Sequence, residues 1–312
     1  MLISIIIPIF NLENVITHSL EAVCEQTYKN IELILVDDGS TDQSISVAES
    51  YLRNQGIEYK IIVQQNQGPS STRNNGICKA KGDWILCLDG DDYILPQTIE
   101  TMVRAAEENK VKCVFCDYKS VNDLTLKADT KHNDGIDIIS GMRLRKLFFQ
   151  RKLVPISPGM LLHRSVYEII QYDEECRYCE DTLFLWELFY KLDKFAFIKS
   201  DLYNYYRREN STMHSLIPDK YLSSSPRHRI SAEKLMKAHP HDKIAKMIYP
   251  KFRLAGLRII CRSNSYTDFI RTVAADGGNV YVRRLLGQSN LKLLVYALIF
   301  IVSKRLFYQI SK

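Results

Sequence analysis

The sequence predicts an α/β fold in which a mostly parallel sheet is flanked by helices and followed by a helical C-terminal extension. Strand and helix signals alternate along the first 120 residues, and such alternation is typical of right-handed βαβ units in a parallel sheet. Several of the predicted strands end in polar or acidic segments. Beyond about residue 215, the pattern is helical and rich in lysine and arginine to the end of the chain.

The predicted strands are short apolar or β-rich runs between polar segments, and the run at residues 84–88 has the pattern of a buried strand of a parallel sheet. They lie at residues 2–7, 31–36, 59–63, 83–88 and 113–118. Helical spacing of apolar residues predicts the connecting helices at residues 13–26, 42–53, 70–80 and 96–109. Ser40 or Thr41 is a suitable N-cap for the second helix, and Pro96 occupies the first turn of the fourth, where proline is favoured.

The regular alternation ends after residue 120. The sequence there predicts a polar loop or small hairpin, a basic amphipathic helix, a strand and a helix with an apolar face. These segments lie at residues 122–137, 141–151, 158–163 and 180–192, respectively.

Charge is distributed unevenly along the chain. Residues 1–200 carry 22 Lys and Arg against 29 Asp and Glu, whereas residues 201–312 carry 20 against 7. A basic C-terminal third favours contact with an anionic partner, either a phospholipid surface or a nucleic acid. We expect no nucleic acid, because the basic residues are dispersed and the sequence carries none of the usual DNA- or RNA-binding motifs.

Residues 293–302 are ten consecutive apolar or aromatic residues, flanked by Arg283 and Arg284 upstream and by Lys304 and Arg305 downstream. Ten residues are too few to span a bilayer, which takes about 20. An apolar segment with flanking cations predicts an interfacial helix, and we expect peripheral membrane contact through residues 280–308. The alternative is a terminal helix that packs on the domain or on a second subunit.

The eight cysteines are scattered, and the chain opens directly with a strand-like segment. Both features favour a reducing cytoplasm over a secreted disulfide framework. Two pairs have Cys-x-x-Cys spacing, Cys113 with Cys116 and Cys176 with Cys179. Residues three apart in a strand point to opposite faces, so the first pair is poorly placed to chelate zinc, and we expect buried free thiols.

The tetrad Asp89-Gly90-Asp91-Asp92 follows the fourth predicted strand. Three carboxylates within four residues repel one another unless a cation or a set of donors lies between them. Open α/β sheets bind ligands at the carboxyl ends of their strands, and Mg²⁺ or Mn²⁺ there usually shares its ligands with substrate phosphates. The tetrad therefore predicts a metal site, and the alternative is a solvated acidic turn.

The other strand ends carry complementary groups. Phe10 follows the first strand, Asp38 the second, and Arg73 lies beyond the third. An aromatic ring can stack on a base, a carboxylate can accept a base N–H, and arginine with a divalent cation can neutralise a pyrophosphate. Glycine-rich phosphate loops of the GxGxxG or GxxxxGK[ST] type are absent from the sequence, so a nucleotide-diphosphate site would depend on metal and arginine.

Four segments resemble the successive signatures of family 2 glycosyltransferases. They are PIFN at residues 8–11, VDDGSTD at 36–42, NxG and RNxG within 66–76, and LDGDD at 88–92. The resemblance covers about residues 2–120 and implies a GT-A, Rossmann-like fold with inverting sugar transfer. It implies a transferase domain at residues 1–215, with a nucleotide-binding half at 1–120 and an acceptor-binding half at 121–215. Residues 216–312 would form the basic helical region.

The resemblance also assigns roles to individual residues. Pro8, Phe10 and Asp38 would hold the nucleobase, most often uracil, with Asp38 accepting its imide N–H. Arg73 would face the diphosphate.

In the tetrad, Asp91 would ligate Mn²⁺ or Mg²⁺, and Asp89 would contact the ribose or the donor sugar. Asp92 has no assigned role beyond support of its neighbours.

Glu180 and Asp181 open the helix predicted at residues 180–192. They resemble the Glu-Asp pair at which such transferases place their catalytic carboxylate. An inverting displacement needs a base on the face opposite the leaving diphosphate, and Asp181 is the predicted base. The transition state would be oxocarbenium-like, as in inverting glycoside hydrolysis. The alternative is that both carboxylates only favour the dipole at the helix N-terminus.

Residues 205–214 resemble the family segment that folds back over the donor diphosphate, so Arg207, Arg208 or His214 would touch phosphate or metal. The sequence lacks the QxxRW signature of processive synthases and any apolar stretch of spanning length. Both features predict that one sugar is added per acceptor.

The sequence thus predicts a metal-dependent hexosyl- or N-acetylhexosaminyltransferase at the cytoplasmic face of the plasma membrane. Its partners would be a UDP-sugar and a saccharide or lipid-linked saccharide of a lipopolysaccharide, capsule or exopolysaccharide pathway. The alternative is a catalytically inactive GT-A-like nucleotide-binding module, which the intact Asp91 and Asp181 disfavour.

Overall fold

The structure is a computed structural model. It describes residues 1–122, 135–207, 218–263, 265–275 and 291–311. The chain divides into two compact units. Unit 1 comprises residues 1–145, 153–174 and 180–209, and unit 2 comprises residues 146–152, 175–179 and 210–312.

In the described part of unit 1, nine strands form one mixed sheet. They are β1 (Ile3–Ile9), β2 (Ile31–Asp37), β3 (Glu58–Val63), β4 (Trp84–Cys87), β5 (Tyr93–Ile94), β6 (Cys113–Val121), β7 (Ile136–Ser140), β8 (Leu161–His163) and β9 (Lys194–Tyr206). Their order is β3, β2, β1, β4, β8, β6, β9 and β5, and β7 pairs with β9 outside this path. Strands β5, β7 and β8 run antiparallel to their neighbours, whereas the other pairings are parallel.

The helices of unit 1 connect these strands. They are α1 (Ile16–Cys24), α2 (Ser44–Leu52), α3 (Pro69–Lys79), α4 (Thr98–Asn109), α6 (Arg164–Tyr167) and α7 (Glu180–Lys191). A further helix, α5 (Gly141–Phe149), contributes residues to both units.

Helices cover both faces of the parallel strands. Ile5 and Ile7 of β1 lie in the main hydrophobic core together with Leu20 of α1. Ile6 points to the other face, because side chains alternate along a strand. There it meets α3 at Gly76, where a Cβ atom would come within 2.4 Å of Ile6 Cγ2. Glycine at position 76 thus lets α3 pack closely on the sheet, and burial on both faces explains the uninterrupted apolar runs of β1 and β2.

The predicted fold class is confirmed, since the sheet is mostly parallel and flanked by helices. The five strands predicted within residues 2–118 are present as β1–β4 and β6, and the strand predicted at 158–163 is present as β8. The pairing adds one feature that the prediction lacks. Strand β8 inserts antiparallel between β4 and β6, so these two strands are not neighbours.

The prediction omits the longest strand among the described residues, β9 (Lys194–Tyr206), together with β5, β7 and α6. Strand β9 pairs with β6 in parallel, with register shifts between Cys116 and Asp117 and between Asp117 and Tyr118. Such irregularities disturb the alternation of buried and exposed residues on which a strand prediction depends. Most of the loop or hairpin predicted at residues 122–137 lies outside the described residues, at 123–134.

Cys113 and Cys116 lie in β6 and are buried thiols, as predicted. Burial raises the pKa of Cys116 to about 12 and raises the pKa of Cys113 as well. Because the thiolate is the reactive and metal-binding form, thiols that resist ionisation in this way are chemically inert.

The described part of unit 2 is helical, as predicted. It contains α8 (Pro218–Ala238), a 3₁₀ turn (Ala245–Met247), α9 (Ile248–Ser263), α10 (Tyr266–Ala275), α11 (Leu291–Val302) and α12 (Lys304–Ser311). Aromatic rings form its core: the centroids of Phe300 and Phe307 are 5.1 Å apart, and Phe269 stacks on Phe307 at 6.1 Å. Within the described ranges, no helix has the length and apolarity needed to cross a membrane.

Helix α11 has a buried and an exposed apolar face. Ala297 and Phe300 are buried, whereas Val295, Leu298 and Val302 are 41%, 43% and 81% exposed. Leu306 and Ile310 of α12 are also exposed. Of the segment predicted to contact a membrane, residues 280–290 lie outside the described residues, as do Arg283 and Arg284.

Candidate active site

The acidic tetrad lies just beyond the C-terminal end of β4, the strand that pairs with β1. Gly90 approaches β1 and the segment after it so closely that a Cβ atom would come within 2.6 Å of Leu12 Cδ1 and 3.0 Å of the Pro8 carbonyl oxygen. Its own carbonyl oxygen accepts a hydrogen bond from Ser19 Oγ at 2.7 Å. Glycine is therefore needed for this turn, which holds the three carboxylates at the carboxyl edge of the parallel strands.

Asp92, to which the sequence assigns no role, is bound to β9. It is buried, and its two carboxylate oxygens accept hydrogen bonds from the Tyr203 hydroxyl at 2.5 Å and from the Tyr206 backbone N–H at 2.8 Å. Burial, followed by the charges of Asp89 and Asp91, raises its pKa well above the usual range for aspartate. Asp92 thus ties the tetrad to the C-terminal end of β9.

Arg73 of α3 is the centre of the site. Its side chain is 4% exposed and contacts three carboxylates from two other parts of unit 1. Nη2 lies 2.8 Å from Asp89 Oδ1, and Nη1 lies 3.3 Å from Glu180 Oε1 and 3.5 Å from Asp181 Oδ1. One guanidinium therefore brings the tetrad after β4 together with the Glu-Asp pair at the start of α7.

The charges in this cluster shift each other's protonation. Burial opposes the charge on Arg73, but the carboxylates, Asp89 foremost, hold its pKa well above the usual range. Burial and the adjacent Asp181 raise the pKa of Glu180 to about 7, although Arg73 acts in the opposite direction. Burial also raises the pKa of Asp181, and the charge of Arg73 limits the rise. The cluster thus contains two carboxyls that hold a proton more tightly than exposed ones do.

Asp181 is the most accessible carboxylate of the cluster, with 37% of its side chain exposed, whereas Glu180 is 14% exposed. Its Oδ1 accepts a hydrogen bond from Ser157 Oγ at 2.8 Å and faces Arg73. Among the described residues, both contacts of this carboxylate are made by Oδ1. Oδ2 is therefore the oxygen that can accept a proton from a ligand.

The three residues predicted to hold a nucleobase lie at the ends of β1 and β2. Phe10 is 47% exposed, Pro8 is half-buried and Asp38 is buried. Asp38 Oδ1 accepts hydrogen bonds from Gln64 Nε2 at 2.9 Å and from the Gln67 backbone N–H at 2.8 Å. Its Oδ2 accepts the Gly68 backbone N–H at 2.8 Å. Asp38 thus anchors the loop before α3, and its base-binding role stays a prediction.

The predicted phosphate and metal contacts are described only in part. Arg207 is exposed and directly follows β9, where its backbone N–H donates to the Val121 carbonyl at 2.9 Å. Arg208 and His214 lie outside the described residues. Asp91 is half-buried at the sheet edge. In the part of the chain that the structure describes, no three His, Cys, Asp or Glu side chains group as a metal site.

Sequence reasoning misses several residues that organise this site. Ser157 contacts Asp181, and the Tyr172 hydroxyl lies 2.9 Å from Ser157 Oγ. Asn74 of α3 makes two hydrogen bonds to the backbone of Tyr172. Asn74 could have been identified from the sequence, because it follows Arg73 within a recognised motif. Ser157 and Tyr172 carry no local pattern, and only the folded chain reveals their contacts.

Comparison with known proteins places this chain among sugar transferases. The family model for glycosyl transferase family 2 matches residues 4–170. The uncharacterized glycosyltransferase EpsJ of Bacillus subtilis is 31% identical over 224 residues, which cover 70% of this chain and 64% of EpsJ. The minor teichoic acid biosynthesis protein GgaA of Bacillus subtilis is 29% identical over 219 residues, covering 66% of this chain and 47% of GgaA. The chain therefore spans less than two thirds of either relative.

Among solved structures, S. aureus TarS 1-349 in complex with UDP-GlcNAc has a TM-score of 0.72 against this chain. The match covers 100% of this chain and 90% of TarS at 21% sequence identity. A likeness at this level of identity shows a shared fold, and it confirms the predicted GT-A architecture.

Proposed function

The chain belongs to glycosyl transferase family 2, and from this premise we propose that it transfers one sugar from a UDP-sugar to a saccharide or lipid-linked saccharide. The observation that carries the proposal is the cluster at Arg73, where Asp89 and Asp181 contact the same guanidinium. Asp89, which is suited to bind the donor sugar or ribose, therefore lies close to Asp181, which is suited to act as the base. UDP-GlcNAc in the TarS complex supports a uridine nucleotide as donor.

In the proposed reaction, the acceptor hydroxyl oxygen attacks C1 of the donor sugar and the bond between C1 and the UDP oxygen breaks. The hydroxyl proton passes to Asp181 Oδ2. Attack opposite the leaving group inverts the configuration at C1. A general base is most effective when its pKa is close to the working pH, and the raised pKa of Asp181 fits this role. Arg73 favours the ionised form of Asp181 that must take the proton.

The donor would lie along the carboxyl edge of β1, β2 and β4. Phe10 exposes an aromatic ring that can stack on uracil, with Pro8 beside it. Asp38 accepts three hydrogen bonds from its own chain. Since a carboxylate offers about four acceptor positions, one is left for the imide N–H of the base.

We assign Asp91 as the protein ligand of a Mn²⁺ or Mg²⁺ ion. Magnesium is usually held by one or two carboxylates together with substrate phosphates, so a cluster of three protein ligands is not required. The repulsion among the tetrad carboxylates, which contributes to the raised pKa of Asp92, favours a cation at this edge. When bound, the ion would neutralise charge on the departing diphosphate. Arg73, Arg207, Arg208 and His214 would make further diphosphate contacts.

We propose a cell-surface polysaccharide, such as a teichoic acid, exopolysaccharide, capsule or lipopolysaccharide, as the product pathway. The relative named for minor teichoic acid biosynthesis supports this class. The exposed apolar face of α11 and α12, with Lys304 and Arg305 in the first turn of α12, supports peripheral contact with the inner face of the plasma membrane. A lipid-linked acceptor would be presented at that surface.

The test measures both binding of UDP-Glc, UDP-Gal, UDP-GlcNAc and UDP-GalNAc and release of UDP from them, with Mn²⁺, with Mg²⁺ and with EDTA. We expect one donor to be turned over only when a divalent ion is present. Asp181→Asn should lower the rate by about 10²–10⁴-fold, the usual contribution of a general base. Asp193→Asn, an exposed position after α7, is the matched control.

The outcomes separate the alternatives. Full activity of Asp181→Asn would reject this base. UDP-sugar binding without turnover under any of these conditions would favour the catalytically inactive nucleotide-binding module. Failure to bind any of the four donors would contradict the proposed function itself.

A further inference from the structure

Two buried hydroxyl groups lie behind the predicted base. Ser157 is 2% exposed, and its Oγ donates to Asp181 Oδ1 at 2.8 Å. The Tyr172 hydroxyl, also buried, lies 2.9 Å from Ser157 Oγ. An ionised carboxylate can only accept hydrogen bonds. The Ser157 hydrogen therefore points at Asp181, and the Tyr172 O–H donates to Ser157 Oγ.

Tyr172 is held rigidly from three directions. The Asn74 side chain donates to the Tyr172 carbonyl oxygen at 2.9 Å and accepts the Tyr172 backbone N–H at 3.1 Å. The Tyr172 ring stacks on Phe184 of α7 with centroids 4.2 Å apart and an interplanar angle of 9°. The Arg73 guanidinium carbon lies 5.3 Å from the same ring centroid. Helix α3 thus reaches Asp181 twice, directly through Arg73 and indirectly through Asn74, Tyr172 and Ser157.

We propose that Ser157 and Tyr172 are positioning residues, which hold Oδ1 of Asp181 and so present Oδ2 to the acceptor hydroxyl. The proposal rests on the proposed function for the identity of the base, and it extends that function by naming what orients it. A carboxylate held at one oxygen keeps a fixed plane, and proton transfer requires such geometry before it requires a suitable pKa.

The hydrogen bonds that lead from Tyr172 through Ser157 to Asp181, here called the hydroxyl chain, also influence the charge state of the base. The groups that face Asp181 come from several elements: Arg73 of α3, Asp89 after β4, Glu180 of α7, Cys87 of β4, Ser157 and Tyr172. Of these, Arg73 and the Ser157 hydroxyl stabilise the carboxylate, whereas Asp89 disfavours it. Loss of the Ser157 donor should therefore raise the pKa of Asp181.

The test is the pH profile of kcat with the donor that the wild-type protein uses. A hydrogen bond to a charged group is strong enough that its loss should move the acid limb of the profile upward by about one pH unit. We expect this shift in Ser157→Ala and a smaller one in the same direction in Tyr172→Phe. Ser157→Thr keeps the hydroxyl and should return the limb towards its wild-type position.

Ser4→Ala provides the matched control, because Ser4 is also a buried serine whose hydroxyl donates to a buried carboxylate, that of Glu32. It lies on β1, within a strand and away from Arg73. Ser4→Ala should lower stability and leave the acid limb in place. An unmoved limb in Ser157→Ala, with lowered stability alone, would overturn the positioning role.

A second measurement does not depend on turnover. The carboxyl carbon of Asp181 can be titrated by NMR in protein with labelled aspartate, with Asp181→Asn to assign the signal. Ser157→Ala should move its midpoint to higher pH by about one unit. Absence of sugar transfer with this shift present would contradict the proposed function and leave the hydroxyl chain supported. Transfer without any shift would contradict the hydroxyl chain alone.

Discussion

Glu180 is the carboxyl in the cluster whose protonation should affect folding most visibly. Its side chain is 14% exposed and lies 3.3 Å from Arg73, yet burial and Asp181 raise its pKa from 4.5 to about 7. The folded protein therefore binds more protons than the unfolded chain between these two values. The contribution of Glu180 to stability is complete below pH 4.5 and is lost as the pH rises through about 7.

The prediction concerns the difference in free energy of unfolding between wild type and Glu180→Gln. We expect the wild type to lose up to about 3 kcal/mol of stability relative to Glu180→Gln as the pH rises from 4.5 to 7, with little further change above that range. Urea denaturation at several pH values measures it. Glu108→Gln, an exposed position on α4, is the control. A difference that stays constant with pH would show that Glu180 ionises normally.

A sequence motif could draw attention to a residue of this cluster, while the role of that residue stays a prediction. Asp89 and Asp181 could be singled out because each belongs to a short acidic pattern, and the structure brings both to Arg73. Arg73 was expected to face a diphosphate, and its three carboxylate contacts could not be foreseen, because the partners come from distant parts of the chain. The contacts of Ser157 and Tyr172 depend on the fold in the same way.

At the scale of elements, β9 links the site to the sheet. Asp92 accepts hydrogen bonds from Tyr203 and Tyr206 of this strand, and β9 pairs with β5, β6 and β7. The raised pKa of Asp92 indicates that its charge is unfavourable, while its hydrogen bonds are favourable. Removing the charge of Asp92 and removing its hydrogen bonds should therefore change the stability of the protein by different amounts.

We predict that Asp92→Asn is nearly neutral for stability at pH 7, whereas Asp92→Ala is destabilising by about 1–3 kcal/mol. Asparagine keeps an oxygen for the Tyr206 N–H and can donate its amide to the Tyr203 hydroxyl. Alanine leaves a buried hydroxyl and a buried N–H without their acceptors. Denaturant unfolding of the two variants, with Tyr203→Phe as a further comparison, measures the difference. Equal destabilisation of both variants would show that the charge of Asp92 is needed.

Uniform burial made two of the strands easy to predict. Strands β1 and β2 are covered on both faces, so their apolar runs are continuous and easily recognised. Strand β9 has buried and partly exposed residues in an irregular order, since its pairing with β6 shifts register near Cys116 and Asp117. Strand β8 pairs with both β4 and β6, and a local apolar pattern does not reveal which strands pair with each other.

At the scale of the whole molecule, the charge counts of the sequence show an acidic first part and a basic C-terminal third. The structure adds a second property to the basic region. The apolar residues of 293–302 do not all face inward, since Ala297 and Phe300 are buried while Val295, Leu298 and Val302 are exposed. One face of this segment packs within unit 2 and the other is accessible, and the predicted membrane contact stays a prediction.

The accessible face leads to a prediction about membrane binding. Val295, Leu298 and Val302 are spaced three and four residues apart and so lie on one side of α11. Burial of such side chains in a membrane interface, together with the attraction of Lys304 and Arg305 to anionic lipid, should hold the full chain on vesicles. Serine at all three positions removes the large exposed apolar side chains of the described residues of α11.

We expect the triple variant to bind vesicles that contain anionic phospholipid at least about tenfold more weakly than wild type, since full burial of one such side chain contributes about 1.5–3 kcal/mol. Vesicle sedimentation measures the partition, and purely zwitterionic vesicles should bind both proteins weakly. Met142→Ser, which removes a 72% exposed apolar side chain of unit 1, is the control and should bind like wild type. Equal binding of the triple variant and wild type to anionic vesicles would exclude this face as the membrane contact and would favour its burial against a second protein chain.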